Sequence, residues 1–440
     1  MDIHVISKTD NSQHKTISVP APTHALGASS VRVRATLLSL SSNNLTYALG
    51  GTWLNWWDAY PVPLSAPAPY NDQSAWGIVP AWGLAAVTES KIPEIPKGET
   101  LYGFWPTSNH EVDLNLTLAE DGVKGHYREV SKARSTLMPL YNRYNVFDTG
   151  KKDLKELGWE AAGIKPIFMA GYALSDFVFS FDTKANAPIH PLGNTAPPDA
   201  SWTAEDANLS KAVFVSLSAS GKTARSFAFN LFQRPSGVGP LGLLQVTSQP
   251  GVLDDAATKL KPNFPVWNVS YTGLDTGIGW VKALKPERIV IADFGARDGA
   301  TAKFVELLEG VEELKDLKRL VLAVGYEQKV YTLPDLAASQ SSMASLKKQQ
   351  FNTSPILEVA IQQNGLEKYH TEVKERFDLW LEKRGDAAPD LKLVWGGGVF
   401  GESGIEGGWE RLCKSEVKPE EALEHSTWEV SVRNGKGWSI

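Results

Sequence analysis

The hydrophobic pattern is sharpest at residues 211–233, KAVFVSLSASGKTARSFAFNLFQ. Ala212 to Leu217 is an apolar run of strand length. From Ala224 the apolar residues Ala224, Phe227, Ala228 and Leu231 recur at i, i+3, i+4 and i+7, one face of a helix. Between them lies the small-residue turn Ser218-Ala219-Ser220-Gly221. Strand, short turn and helix make the first half of a βαβ unit, whose turn exposes helix N-terminal amides to an anion. The phosphates of a nucleotide are the expected occupant.

Downstream the alternation continues. The pattern predicts strands at 241–247, 265–270, 288–292 and 320–324, separated by helices at 253–260, 275–284 and 300–308. Strands alternating with helices of that length predict an α/β fold with a doubly wound parallel sheet, its ligand crevice at the carboxyl ends of the strands. Upstream, from Ile3 to about Val112, short runs such as VRVRATLLSL, WGIVPAWGLAAVTES and ETLYGFWP are broken by Gly and Pro. They predict a compact, partly closed β-domain. Pro61, Pro63, Pro67 and Pro69 mark an extended loop, and Tyr141 to Asp182 reads as helical. Ala185 to Asp206 reads as a surface excursion, residues 358–383 as one long amphipathic helix, and Gly396 to Gly408 as a flexible return without chemistry of its own.

At 440 residues, 42% hydrophobic and 21% charged, the chain is long enough for two or three domains. A net charge of −6 without a Lys/Arg block gives no electrostatic footprint for nucleic acid or an anionic membrane surface. Cys413 is the single cysteine, which excludes an intramolecular disulfide and a zinc site built from several thiolates. The opening residues show no basic segment followed by an apolar core, and no run reaches the roughly 18 apolar residues of a membrane span. A soluble cytoplasmic protein is therefore expected.

The order of β-domain, nucleotide-binding sheet and C-terminal return resembles the medium-chain dehydrogenase/reductase superfamily. The resemblance is carried by VRVRATLLSLSSNNLTYALGG, VPAWGLAAVTES and the central SASGKTA turn. SSNNLTYALGG, WGIVPAWGLAAV, LYGFWPTSNH and LYNRYN together look like a poorly characterised fungal and bacterial branch of it. The resemblance implies a GroES-like substrate-side domain at 1–165, a Rossmann-type nucleotide-binding domain at 166–340, and a C-terminal return to the first domain at 341–440. It also implies a homodimer through the edge of the central sheet. Two departures stand out. Where zinc-dependent members place their first ligand this chain has Asn43-Asn44, which argues against Lewis-acid metal catalysis. The G-x-G-x-x-G fingerprint is replaced by S-x-S-G-K-T at 218–223, leaving only Gly221 without a side chain.

On this reading Ser218, Ser220, Gly221, Lys222 and Thr223 bind a pyrophosphate. Thr247 and Ser248, followed by Gln249, end the second strand without a carboxylate, which favours NADP(H) over NAD(H). A capping turn explains them equally well. Asp293, Gly295 and Gly325 fall along the crevice, where the two glycines read equally as plain turn residues. Asn44 and Tyr47 sit where the superfamily's zinc-free reductases place polar substrate-side groups, Tyr47 as proton donor and Asn44 orienting a carbonyl. A tyrosine packed in a β-domain core is the plainer reading of Tyr47. His110 and His126 are further acid/base candidates. Trp53, Trp56, Trp57, Trp76, Trp82, Tyr102 and Trp105 suit an aromatic wall for a small-molecule substrate; core packing explains several of them equally well, and two or three are expected to reach a pocket, since Trp53, Trp56 and Trp57 lie in a loop where burial is hard to arrange.

The expected function is a zinc-independent NADP(H)-dependent oxidoreductase. Alternatives are a lyase or hydratase on the same scaffold, or a non-catalytic NADPH-binding protein. A further alternative reads Ser216 to Thr223 as a degenerate ATP phosphate loop with Asp293 on Mg²⁺.

Overall fold

Isoleucine, valine and leucine crowd the strands predicted above. In a computed structural model describing residues 1–119, 123–150, 152–161 and 164–427, the chain forms two compact units. The first comprises Met1–Gly163, Gln328–Val330 and Lys392–Ile440, and the second Ile164–Glu327 and Tyr331–Leu391.

In the first unit, β1 (Asp2–Ser7), β2 (His14–Ser18) and β4 (Trp76–Gly77) make a small antiparallel sheet with β1 in the middle. The larger sheet uses β3 (Ser30–Leu40), β5 (Pro80–Ser90), β6 (Thr100–Pro106), β7 (Val112–Leu118), β8 (His126–Glu129) and β9 (Arg143–Val146). It runs β3-β5-β6-β9-β8-β7 and closes on itself because β7 also pairs with β3. Register shifts at Arg32/Val33 and Ala35/Leu37 bend β3, so its first half serves β7 while its end serves another neighbour. Val31, Val33, Leu84, Phe104, Trp105 and Tyr144 fill the interior. Helix α1 (Ser42–Leu49) follows β3 directly, and α2 (Leu154–Ala161) follows β9. The helical reading of Tyr141 to Asp182 is therefore too early, since Arg143–Val146 is a strand and helix begins at Leu154.

The second unit begins with α3 (Ile164–Ala173), which passes into a π-helical turn at Leu174–Val178. After the largely exposed 185–206 segment, which holds the short α4 (Ala204–Ala207), come β10 (Ala212–Leu217) and α5 (Lys222–Phe232). Next are β11 (Gly242–Val246), α6 (Pro250–Leu260), β12 (Val266–Val269), α7 (Leu274–Ala283), β13 (Arg288–Phe294), α8 (Ala300–Glu309) and β14 (Lys318–Gly325). Every predicted strand and helix of this stretch is present within a few residues. Two elements were not foreseen, α9 (Leu333–Ser345) and β15 (Gln349–Gln350). All six strands are parallel, in the order β12-β11-β10-β13-β14-β15. Counted along the chain this is 3-2-1-4-5-6, with the reversal between β10 and β13.

The C-terminal part corrects three expectations. The helix predicted over 358–383 is two helices, α10 (Thr353–Asn364) and α11 (Leu366–Ala387), because Gly365 turns to φ +77° between them. Both lie in the second unit, although all residues after 340 were assigned to the first. The glycine-rich segment is not a loose return. It is the end of β16 (Lys392–Gly397), a tight turn, and α12 (Ile405–Cys413), after which β17 (Glu421–Ser426) runs parallel to β16 and antiparallel to the end of β3. Ile405, Trp409 and Leu412 are fully buried on one face of α12 and anchor it.

Candidate functional site

The turn between β10 and α5 is built at the reversal point of the sheet. Ser218 takes the left-handed conformation (φ +61°), uncommon for a residue with a Cβ, and its carbonyl accepts the Gly221 amide at 3.0 Å. The turn is braced on each side. The Ala219 amide donates to Val246 at 3.0 Å, and the Thr247 hydroxyl donates to Ser220 Oγ at 2.8 Å. Arg225, buried in the first turns of α5, donates through Nε to the Ser220 carbonyl at 2.8 Å and forks onto both oxygens of Asp390. Burial raises the Tyr271 phenol, just past β12, while the neighbouring Ser218 lowers it in part. Gly221 is the N-cap of α5 and supplies no side-chain cap, and a Cβ there would stand 3.1 Å from the Ser218 carbonyl. A rigid small-residue turn thus leads into a helix start that no capping side chain covers.

Ser218, Ser220, Gly221, Lys222 and Thr223 are contiguous here, with Lys222 and Thr223 half-buried on the first turn of α5. Thr247 is fully buried and spends its hydroxyl on Ser220, while Ser248 beside it is exposed. Arg225, Tyr271 and Asp390 escaped the sequence reading. Asp390 is 165 residues from its partner, and no spacing rule joins them.

Asp293 at the end of β13 has both oxygens engaged. Oδ1 accepts the amides of Gly295 (3.1 Å) and Ala296 (2.8 Å), and Oδ2 accepts the Thr301 hydroxyl (2.7 Å) and Lys348 Nζ (2.9 Å). This carboxylate organises the β13–α8 loop, which counts against a Mg²⁺ ligand, and Ser216 lies buried within β10 rather than in a phosphate loop. Gly295 (φ +102°) and Gly325 are not plain turn residues. A Cβ on Gly295 would come within 2.5 Å of the Tyr326 carbonyl, and one on Gly325 within 2.9 Å of that of Phe294. The loops after β13 and β14 cross at a distance only glycine permits.

In the first unit, Ser41 and Asn44 form a reciprocal capping box at the start of α1. The Asn44 carbonyl accepts the Ser41 amide at 2.8 Å and its NH₂ donates to Pro80 at 2.9 Å. Tyr47, one turn on, is buried, and its oxygen accepts the Trp82 indole N–H at 3.1 Å. Trp56, Phe104 and Tyr141 pack their rings edge-on or tilted around it. Burial pushes the Tyr47 phenol up to about 12 despite hydrogen bonds from Trp82 and Tyr141.

The expected aromatic wall is mostly core. Trp56 and Trp57 lie on a buried 3₁₀ turn at Trp56–Asp58, tucked against Gly50, Gly51 and Gly77, whose missing side chains make the room. Trp82, Tyr102 and Trp105 are buried within the closed sheet, and Trp105 donates to Gly83 at 3.0 Å. Trp53 alone of the loop tryptophans is exposed, at 69%. His126 accepts from Arg143 at 2.9 Å, and burial holds the His110 imidazole below its ordinary value. A cavity of about 680 Å³ in this unit is lined by Tyr60, Ile78, His110 and Arg134, and by none of the predicted tryptophans. Among the described residues, no group of three or more His, Cys, Asp or Glu is placed to hold a metal ion, and no helix is long and apolar enough to cross a membrane.

A six-stranded parallel sheet in 3-2-1-4-5-6 order with a small-residue turn at its reversal point is a doubly wound, Rossmann-type fold, and the other unit is a closed, mainly antiparallel β structure. Within that fold the chain belongs to the family described as "Protein of unknown function (DUF2855)", whose model matches residues 38–418. Among solved structures it is similar to CurA from Vibrio vulnificus in complex with NADPH, at TM-score 0.51 and 11% identity, covering 97% of this chain and 99% of that one. It is also similar to the mitochondrial 2-enoyl thioester reductase Etr1p/Etr2p heterodimer from Candida tropicalis, at TM-score 0.49 and 11% identity over the same shares. No curated protein matches the sequence.

Proposed function

We propose that this chain is a zinc-independent, NADP(H)-dependent oxidoreductase acting on an activated double bond or carbonyl of a hydrophobic or aromatic small molecule. One observation carries the reading: the start of α5 carries no capping side chain and stands at the reversal point of a 3-2-1-4-5-6 sheet, where that fold receives a dinucleotide. The donor chemistry fits. The turn offers the start of a helix, the hydroxyls of Ser218 and Thr223 and the charge of Lys222, and Gly221 leaves room for a diphosphate. The end of β11 has no carboxylate to repel a 2′-phosphate, with exposed Ser248 as its contact. The fold is shared with CurA, whose structure is described with NADPH.

The nicotinamide, when bound, supplies the hydride chemistry. The protein supplies the rest. Arg225, Asp390 and Thr247 hold the turn in shape, and Lys222 adds positive charge beside it. Tyr47 is protonated at neutral pH as any phenol is, and burial, which pushes it up to about 12, makes it a weak acid that would yield its proton only to a strongly basic enolate or alkoxide. Asn44 acts through the placement of α1 rather than on the substrate, since both ends of its amide are engaged. The closed β unit would serve as the GroES-like substrate side, and a homodimer through an edge of the six-stranded sheet belongs to the same reading.

Calorimetric titration tests it. NADPH is expected to bind at least about tenfold more tightly than NADH, a difference of about 1.4 kcal/mol. No heat at millimolar concentrations of either would remove the reading. Cofactor binding without hydride consumption across enones, quinones and aldehydes would instead favour the lyase or the non-catalytic binder.

A further inference from the structure

The first unit contains a chain of titratable groups unrelated to the proposed chemistry. His4 on β1 is fully buried, and its Nε2 lies 2.9 Å from Nδ1 of His14 on β2. His14 Nε2 lies 2.7 Å from Glu410 on α12, whose side chain is 42% exposed. The chain thus runs from the surface into the interior across the joint between the β1–β2 hairpin and α12. The same joint is made by Glu406, which accepts the Thr16 amide at 3.3 Å. At the hairpin turn, the Trp409 indole donates to the Asn11 carbonyl at 3.0 Å and Cys413 Sγ lies 3.6 Å from that carbonyl.

The hydrogen positions follow from counting donors. With one proton per ring, His14 Nε2–H donates to Glu410 and His4 Nε2–H donates to His14 Nδ1. His4 Nδ1 is then a bare acceptor, which agrees with its being buried without a partner. A further proton has no good place. On His14 Nδ1 it is accommodated only by moving the His4 proton to His4 Nδ1, so that either placement leaves His4 Nδ1 a buried N–H with no acceptor among the described residues.

The neighbours do not relieve this. From α12, Lys414 already pairs with Glu410 at 2.7 Å, Arg411 pairs with Glu421, and Glu406 accepts the amides of Thr16 and Gly401. From β17, Glu424 accepts from Ser39, and His425 is a third buried imidazole whose Nδ1 also lacks a partner. Lys15 on β2 points to solvent, and Asp10 is tied to Ser12 and Gln13 in the hairpin turn. Burial pushes His4 well below the ordinary histidine value, with His14 and His425 adding repulsion, and burial holds His425 at about 4.

We propose that His4, His14 and Glu410 form an acid-released latch, which holds α12 against the β1–β2 hairpin near neutral pH and lets it lift as the pH falls below the ordinary histidine range. Cys413, the one cysteine of the chain, lies on the latched face and reports its opening.

The test is the rate of Cys413 reaction with a dipyridyl disulfide, which reacts in acid as well as at neutral pH. The rate is normalised to a free thiol at each pH, with far-ultraviolet circular dichroism followed in parallel. In the wild type the normalised rate is expected to rise about tenfold between about pH 7.5 and 5.5 while the dichroism stays native. His14→Gln, whose amide can bridge the same two partners, should flatten the rise, and His4→Gln gives the same reading should the first variant fold poorly. An unchanged wild-type rate, an equal rise in both variants, or a rise that coincides with loss of the native dichroism would each overturn the latch.

Discussion

Gly221→Asp should abolish dinucleotide binding while leaving the fold intact. Gly221 is the N-cap of α5 with φ −62° and ψ 147°, an ordinary extended conformation open to any residue. Aspartate is among the best N-cap residues, and its carboxylate would take the free amides of the first turn, a local gain over glycine of roughly a few tenths of a kcal/mol for the helix. The same carboxylate would place a negative charge where the diphosphate is proposed to dock. Its Cβ would also crowd the Ser218 carbonyl, 3.1 Å away. Repulsion and lost amide donors together are expected to raise the dissociation constant for NADPH at least about a hundredfold, or about 2.7 kcal/mol. Calorimetry and a thermal melt on the same sample separate the effects. A stable variant that binds NADPH as the wild type does would show that the diphosphate docks elsewhere.

Asp390→Ala should cost about 3–5 kcal/mol of stability, because it strands a buried charge. The Arg225 side chain is 4% exposed, and beyond Asp390 it donates to the Ser220 carbonyl. Burial alone would raise the Asp390 carboxyl, but the hydrogen bond and charge of Arg225 outweigh it and hold the group below its ordinary value of 3.8. The sign follows from that direction. A carboxyl depressed in the folded state contributes stability above its unfolded value, and loses it as the pH falls through its lower folded value. The gap between wild type and variant should therefore be widest near neutrality and close in acid below about pH 4. Denaturant midpoints at neutral and acidic pH check this. Because Arg225 also grips the turn through Ser220, NADPH affinity should fall in the same variant. A destabilised protein with wild-type affinity would show that the grip is not needed to shape the turn.

Much of the second unit was legible because its information is local. The buried strand Ala212 to Leu217, the helical face of Ala224, Phe227 and Leu231 and the short turn between them lie within two dozen residues, and each follows from side-chain period. The tryptophans were misread for the opposite reason. Burial of Trp56 and Trp57 depends on glycines at 50, 51 and 77, and a loop composition cannot announce that its rings find such space. The glycine run at 396–408 reads as slack in the sequence, yet the helix that ends it is held by Trp409, whose partner is Asn11.

Period and turn chemistry alone determined that this chain carries a parallel α/β sheet after a β-rich region, with a small-residue turn opening its first helix. Both properties are written within one or two turns of chain. Only the tertiary structure decided that Arg225 meets Asp390, that Asp293 spends its charge on its own loop, and that His4, His14 and Glu410 stand in line. These pairings join residues that one-dimensional pattern leaves unrelated, since a hydrogen bond depends on distance in space and is indifferent to separation along the chain.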